Sequence, residues 1–478
     1  MSSISDGATG ISLIHPAINP ALARLRQKPP LVRSETAPYL PALASSLQPT
    51  QPSSPKAQTL HSPDSDEESI RLKPFFRSRR IRKGTIDRPE LRERDPRLIW
   101  MTIIPTAGFV FGLVIIAVLV WDGWRSVNQH LYCHVFTDDF SNGLNPAIWE
   151  TEVQAGGYGN GEFQVTTPSD ENSFVRDGHL ILKATPQTAE YIQSTTLVNL
   201  TADGTCTSNV VAKCVTQVNS TAGEIIRPIK SGRVFTKRSA VIRYGRVEVT
   251  AKMAAGDWLL SNVMMLPAEE FYGAWPASGE IDIANARGNN YTYAGGGSEV
   301  VQSALHWGPD SSSDRWQYSS NKRDALHQSY AKSFHTYGVE WTSKYIFTWV
   351  DTRLAQVVYA KFGRGFFAKG RFPVTFSNGS IITNPWAVPG ATLAAPFDRP
   401  FYLVLGLAVG GLSGWFTNGM EGKPWADGSL APMSDFWNAR NQWLPTWERE
   451  GHGEMVIKRV EMWQQCDEGA TDLWMPSP

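Results

Sequence analysis

Trp275-Pro-Ala-Ser-Gly-Glu-Ile-Asp-Ile-Ala-Asn-Ala-Arg-Gly-Asn289 alternates polar and apolar side chains between two glycines. Such alternation marks a β-strand, whose successive side chains point to opposite faces. Glu280 and Asp282 therefore face the same way. A strictly regular strand adds Ala284 to that face, whereas a bulge of one residue brings Asn285 there instead. Four strand steps separate the Cα atoms of residues 280 and 284 by ~13 Å, and two long side chains reaching toward each other close that to ~5 to 6 Å.

Two carboxyl groups at that spacing suit retaining cleavage of a glycosidic bond. One attacks the sugar carbon, while the other protonates the departing oxygen and then takes a proton from water. Here Glu280 supplies one such carboxyl group, Asp282 beside it would tune the charge, and Asn285 stands where a second acid is needed. An amide has no titratable proton near neutral pH, and general acid–base catalysis contributes about 10²- to 10⁴-fold. Ala284 would be no better. A substitute carboxylate would have to come from a neighbouring loop, with Glu269, Glu299 and Asp310 as candidates.

The surrounding sequence is built for sheets. His179-Leu-Ile-Leu-Lys-Ala184, Gly245-Arg-Val-Glu-Val-Thr-Ala-Lys252, Tyr345-Ile-Phe-Thr-Trp-Val350 and Met455 to Trp463 are rich in β-branched and aromatic residues, punctuated by Gly, Pro, Asn and Asp clusters. No long amphipathic helix competes and no solenoid or propeller repeat is present, so the expectation is an all-β, two-sheet sandwich.

Several ordered blocks carry a family resemblance. They are Asp139-Phe-Ser-Asn-Gly-Leu144, Gly156-Gly-Tyr-Gly-Asn-Gly-Glu-Phe-Gln164, Tyr244 to Lys252, Leu305-His-Trp-Gly-Pro309, Phe334-His-Thr-Tyr-Gly-Val-Glu-Trp341 and Leu407-Ala-Val-Gly-Gly411. Together with the Glu280 strand they resemble glycoside hydrolase family 16, the laminarinase-type enzymes that act on β-1,3-glucans. The resemblance implies a concanavalin-like β-jelly roll with a glucan groove across its concave sheet. It assigns Glu280 to the nucleophile, Asp282 to the helper and Asn285 to the position of the acid/base glutamate. Trp258, Trp275, Trp307, His306, Asn160 and Arg233 are candidates for contact with sugar, with a core reading standing equally for Trp275, Trp307 and His306 and a local structural one for Asn160 and Arg233. Two departures touch the groove: Leu260 and Met264 replace tryptophans usual in the family, and Gly406 replaces an asparagine. The resemblance leaves room for a structural calcium ion, but no ligands are assignable and no cofactor is expected. Neither His/Cys metal spacing nor a phosphate-cradling glycine loop is found, and nucleic acid is not expected among the partners.

The remainder of the chain divides by composition. Its 45 basic and 45 acidic residues cancel overall, yet nine of the basic ones crowd into one block between residues 77 and 97. Residues 1–97 read as a disordered tail, rich in Pro, Ser and charge, in which Ser54, Ser62 and Ser65 resemble kinase sites. Residues 98–121 are uncharged, and ~24 residues of helix reach ~36 Å, enough to cross a ~30 Å hydrocarbon layer. Residues 122–135 form a short linker, 136–466 the sandwich and 467–478 a C-terminal tail.

Arg77, Arg79, Arg80, Arg82, Lys83, Arg88, Arg92, Arg94 and Arg97 precede the apolar run, whereas only Arg125 closely follows it. That asymmetry keeps the N-terminus cytoplasmic and sends the sandwich into the secretory lumen, as a type II signal-anchored membrane protein. All four cysteines and the sequons at Asn199, Asn219, Asn290 and Asn378 lie beyond the run, as an oxidising lumen requires. Of three possible pairings, Cys206 with Cys214 and Cys133 with Cys466 is favoured. The leading functional expectation is a membrane-tethered β-glucan-binding domain with impaired hydrolysis. Two others stand beside it: an active glucanase or transglycosylase with a substitute proton donor, and a glycosylated scaffold.

Overall fold

The computed structural model describes residues 96–126, 130–157, 160–375 and 379–466, with a few positions between 82 and 89. Ser54, Ser62, Ser65, Asn378 and residues 467–478 lie outside the described residues. The apolar run falls within helix α1 (Pro96–Ser126). Within it Ile99–Gly123 is long and apolar enough to cross a membrane, and none of it is buried against the rest of the chain.

Beyond α1 the chain is built from two eight-stranded antiparallel sheets. The first contains β1 (Tyr132–Asp138), β4 (Ser173–Arg176), β5 (His179–Lys183), β12 (Gly245–Lys252), β17 (His335–Trp341), β18 (Tyr345–Val350), β19 (Gln356–Lys361) and β21 (Glu454–Gln465). Its order is β19-β18-β17-β12-β21-β5-β4, and the long β21 also pairs with β1. The second contains β2 (Glu150–Thr151), β10 (Arg233–Phe235), β11 (Val241–Ile242), β13 (Leu259–Pro267), β14 (Glu280–Arg287), β15 (Val300–His306), β16 (Ser320–Asp324) and β20 (Phe401–Val409). Its order is β16-β15-β14-β13-β20-β10-β2, with β11 on β20.

Smaller pieces decorate one end. Strands β3 (Gln164–Thr166), β9 (Ile229–Ser231) and β6 (Thr185–Pro186) form a three-stranded sheet, and β7 (Leu197–Asn199) pairs with β8 (Val215–Gln217). Cys206 and Cys214 are bonded beside that last hairpin, while Cys133 and Cys466 join β1 to the residue after β21.

Binary patterning explains which face goes where. In β12, Val247, Val249 and Ala251 are buried while Arg246, Glu248, Thr250 and Lys252 are only half-buried on the other face. Their inward neighbours meet Trp341, Tyr337 and Phe401 in one core between the sheets. Trp341 is anchored there by its indole N–H, which donates to the carbonyl of Phe397 at 2.8 Å, as a buried indole requires. Strand β14 differs, since seven of its eight residues are buried. One face meets the core between the sheets. The result is an all-β jelly roll. Two short helices at 432–438 and 440–447 were not expected; Phe436, Trp443 and Trp447 drive them into the core.

Candidate active site

Register places the catalytic-type residues. Across β14 and β15, Glu280 faces His306, Asp282 faces Ala304 and Asn285 faces Gln302. Ile283 and Ala284 on β14 thus stand opposite the single Ser303 on β15, which is a one-residue bulge. The same bulge recurs against β13, where Met264 faces Asp282 and Asn262 faces Asn285. It turns Ile283 and Ala284 together into the core and sets Glu280, Asp282 and Asn285 on the groove face.

Around Glu280 the partners form a closed circuit. Trp275 donates its indole N–H to Glu280 Oε2 at 2.6 Å, and the Trp275 ring leans on His306 with centroids 5.6 Å apart. His306 Nε2 lies 3.1 Å from Asp282 Oδ2 and its Nδ1 lies 2.6 Å from Asp314 Oδ2. Asp314 is itself held by the backbone N–H groups of Trp307 and Trp316, both at 3.1 Å. Trp316 covers the far side of His306, its ring centroid 6.1 Å away.

These contacts set the charges. Burial, then the neighbouring Asp282, pushes the Glu280 carboxyl up to about 8. Burial alone would depress His306, but hydrogen bonds to Asp282 and Asp314 outweigh it and hold the imidazole well above its ordinary value. Near neutral pH the circuit therefore holds a protonated Glu280 and an imidazolium between two aspartates. Asp282 is only 4% exposed, and its Oδ1 has no donor among the described protein groups. Such an orphaned acceptor costs about 1–3 kcal/mol, a cost that a proton on Glu280 or a sugar hydroxyl removes.

Asn285 belongs to a different row. Its Oδ1 accepts from Asn262 Nδ2 at 3.1 Å. Continuing across the sheet, Asn262 faces Gly406 on β20, and Gly406 faces Arg233 on β10. Arg233 Nε meets Glu152 Oε2 at 2.6 Å, closing the row. A Cβ built on Gly406 would stand 3.3 Å from Arg233 Cγ, so the absent side chain leaves room for the arginine. Between this row and Glu280, Met264, Val404 and Phe235 form a small apolar cluster with Leu266 and Tyr402.

The sequence-derived candidates separate into two groups. Glu280, Asp282, Asn285, Trp275, His306 and Arg233 share the groove face or its rim. Trp258 and Trp307 do not contact the groove and are corrected to core residues. Trp307 follows His306, so period two sends it inward, where it is 1% exposed and donates to Ser319 Oγ at 2.7 Å. Trp258 precedes β13 with φ 67°, and its ring is packed edge-on against Tyr293, Phe416 and Trp425. Asn160 is exposed and its amide reaches Glu162 Oε1 at 3.4 Å.

None of the proposed substitute acids meets Glu280. Glu299 accepts from the N–H of Gly297, Asp310 from Ser312, and Glu269 is exposed. Glu150 and Glu152 stand at β2, four strands from β14 and so ~19 Å away. Sequence reading missed Asp314, Trp316, Asn262 and Gln302. A histidine with two ring nitrogens to satisfy was the signal for the first; the amides needed the register. Among the described residues no cluster of three or more His, Cys, Asp or Glu is arranged to hold a metal ion. Of the sequons, Asn219 and Asn290 are exposed and Asn199 is half-buried.

The sequence profile described as "Glycosyl hydrolases family 16" matches residues 162–388. The chain is 37% identical over 344 residues to the "Beta-1,3-glucan-binding protein" of Penaeus monodon, covering 70% of this chain and 90% of that protein. It is 28% identical over 316 residues to "Beta-1,3-glucan-binding protein 1" of Manduca sexta, covering 66% of this chain and 61% of that protein. The laminarinase of Rhodothermus marinus aligns over 71% of this chain and 100% of its own, at 22% identity and a TM-score of 0.44. With a relative this similar over nearly its whole length, the chain belongs to glycosyl hydrolases family 16.

Proposed function

We propose that this protein binds β-1,3-glucan through the groove on the concave sheet and does not hydrolyse it efficiently. The observation that carries the reading is Asn285 at the acid/base position, tied to Asn262 in a row of neutral amides. No described carboxylate stands in for it. Binding needs what the groove retains: Trp275, 39% exposed and able to stack on a sugar face, and buried hydrogen-bonding groups at Asp282, Gln302 and Arg233. The names of the Penaeus and Manduca relatives support glucan as the ligand.

The same reading extends to location. Helix α1 spans a membrane as a signal anchor, with the basic block cytoplasmic and the jelly roll in the lumen or outside the cell. Support comes from the length of Ile99–Gly123, the charge asymmetry around it and two disulfides beyond it.

Retention of the purified protein on insoluble β-1,3-glucan, with no rise in reducing ends from laminarin, is the expected result. Turnover of laminarin that disappears in Glu280→Gln would overturn the impaired-hydrolysis reading. Failure to be retained on the glucan would overturn binding itself.

A further inference from the structure

We infer that the end of the jelly roll at which the chain enters from α1 is a lipid-facing surface, binding anionic headgroups of the membrane that α1 is proposed to cross. The inference rests on that membrane reading. Register gathers the strand ends concerned: Tyr132 lies opposite Gln465, Gly245 opposite both Gln464 and Trp341, and Tyr345 opposite Lys361. The loops leaving this edge of the first sheet therefore share one end of the sandwich. They carry Lys344 between β17 and β18, and Lys361, Arg364, Lys369 and Arg371 at and beyond the end of β19. The N–H of Phe362 donates to the carbonyl of Lys344 at 2.8 Å, and Lys369 Nζ donates to the carbonyl of Lys361, so these cations form one patch. Lys344, Lys361, Arg364 and Arg371 are exposed.

Acids are kept away from the patch. Between Glu340 and Asp398 the sequence holds only Asp351, which sits at the opposite end of the sheet against Thr336 and His335. Glu340 is 1% exposed and is taken up by Arg353 and the Tyr345 hydroxyl, while Asp398 is buried on Tyr272 and Thr392. The exposed Glu269 and Glu270 follow β13 in the other sheet.

Chain length fixes how near the membrane this end lies. From Gly123, the last residue of the apolar span, helix runs to Ser126 and four further Cα steps reach His130, ~19 Å at most. Headgroups fill ~5 to 8 Å of that distance. The remainder is comparable with the ~10 Å Debye length at 0.1 M salt. The His130 ring lies 6.3 Å from the ring of Tyr345, the residue that follows Lys344 and faces Lys361. The tether thus delivers the cations to the lipid surface.

The full chain is reconstituted into nanodiscs of phosphatidylcholine, alone or mixed with phosphatidylserine, and acetylation of individual lysines is followed by mass spectrometry. Lys344 and Lys361 should react at least ~5-fold more slowly in the phosphatidylserine discs, and high salt should abolish the difference. Lys458, toward the far end of β21, is the control and should not change. Lys361→Glu combined with Arg364→Glu should remove the protection of Lys344 without lowering the melting temperature. Equal rates in the two discs, with the chain inserted, overturn the lipid-binding surface and leave the anchor standing. A chain that co-purifies with neither disc overturns the membrane reading and this inference with it. Protection by added heparin but not by phosphatidylserine assigns the patch to an anionic polysaccharide and overturns the lipid as its partner.

Discussion

Asn285 and Gly406 stand on either side of Asn262 in the cross-sheet row that runs from β15 to β10. Asn285→Glu restores a carboxyl group on the groove face, with Asn262 Nδ2 already placed to donate to it. Hydrolysis of laminarin, read as reducing ends, should rise by about 10²-fold or more. No gain would mean that the groove no longer presents the bond to Glu280. At Gly406 a side chain crowds the Arg233 stem that holds the pair with Glu152, so Gly406→Asn should cost about 1–3 kcal/mol in a denaturant melt, and Gly406→Ala less. Glu280 also makes stability depend on pH. It titrates near 4.5 when unfolded and near 8 when folded, so its contribution is complete below about 4.5 and is lost as pH rises through about 8. Glu280→Gln cannot ionise. Its melting temperature, relative to the unaltered protein, should therefore climb between pH 5 and pH 8; parallel curves would refute the assignment.

Elements show what the sequence could and could not disclose. The groove face of β14 was legible because alternation is local and only one bulge had to be allowed for. Trp258 was misjudged and Trp307 left open between groove and core for a related reason. A tryptophan's chemistry suits both a sugar face and a core, and parity within the strand decides between them. The row from Gln302 through Asn262 to Arg233 was not legible at all, since it joins strands far apart in sequence and exists only once register is set. The disulfide between Cys133 and Cys466 acts at this scale too, fastening the first strand of the large sheets to the last. Replacing both cysteines by serine should lower stability by about 2–5 kcal/mol, measured by thermal melting under oxidising conditions.

For the molecule as a whole, the membrane reading makes its own test. In sealed microsomes an endoglycosidase shift should appear for the intact chain and shrink as Asn199, Asn219 and Asn290 are replaced by glutamine. Protease added outside should remove only the segment before α1. A chain fully digested from outside would reverse the orientation. A separate consequence follows from β1 lying against β21, with Tyr132 opposite Gln465. Entry and exit of the jelly roll are adjacent strand ends, so the whole sandwich behaves as a plug on a two-wire socket. It can be grafted into a surface loop of an unrelated carrier, or circularised and reopened at an exposed turn, without disturbing the groove.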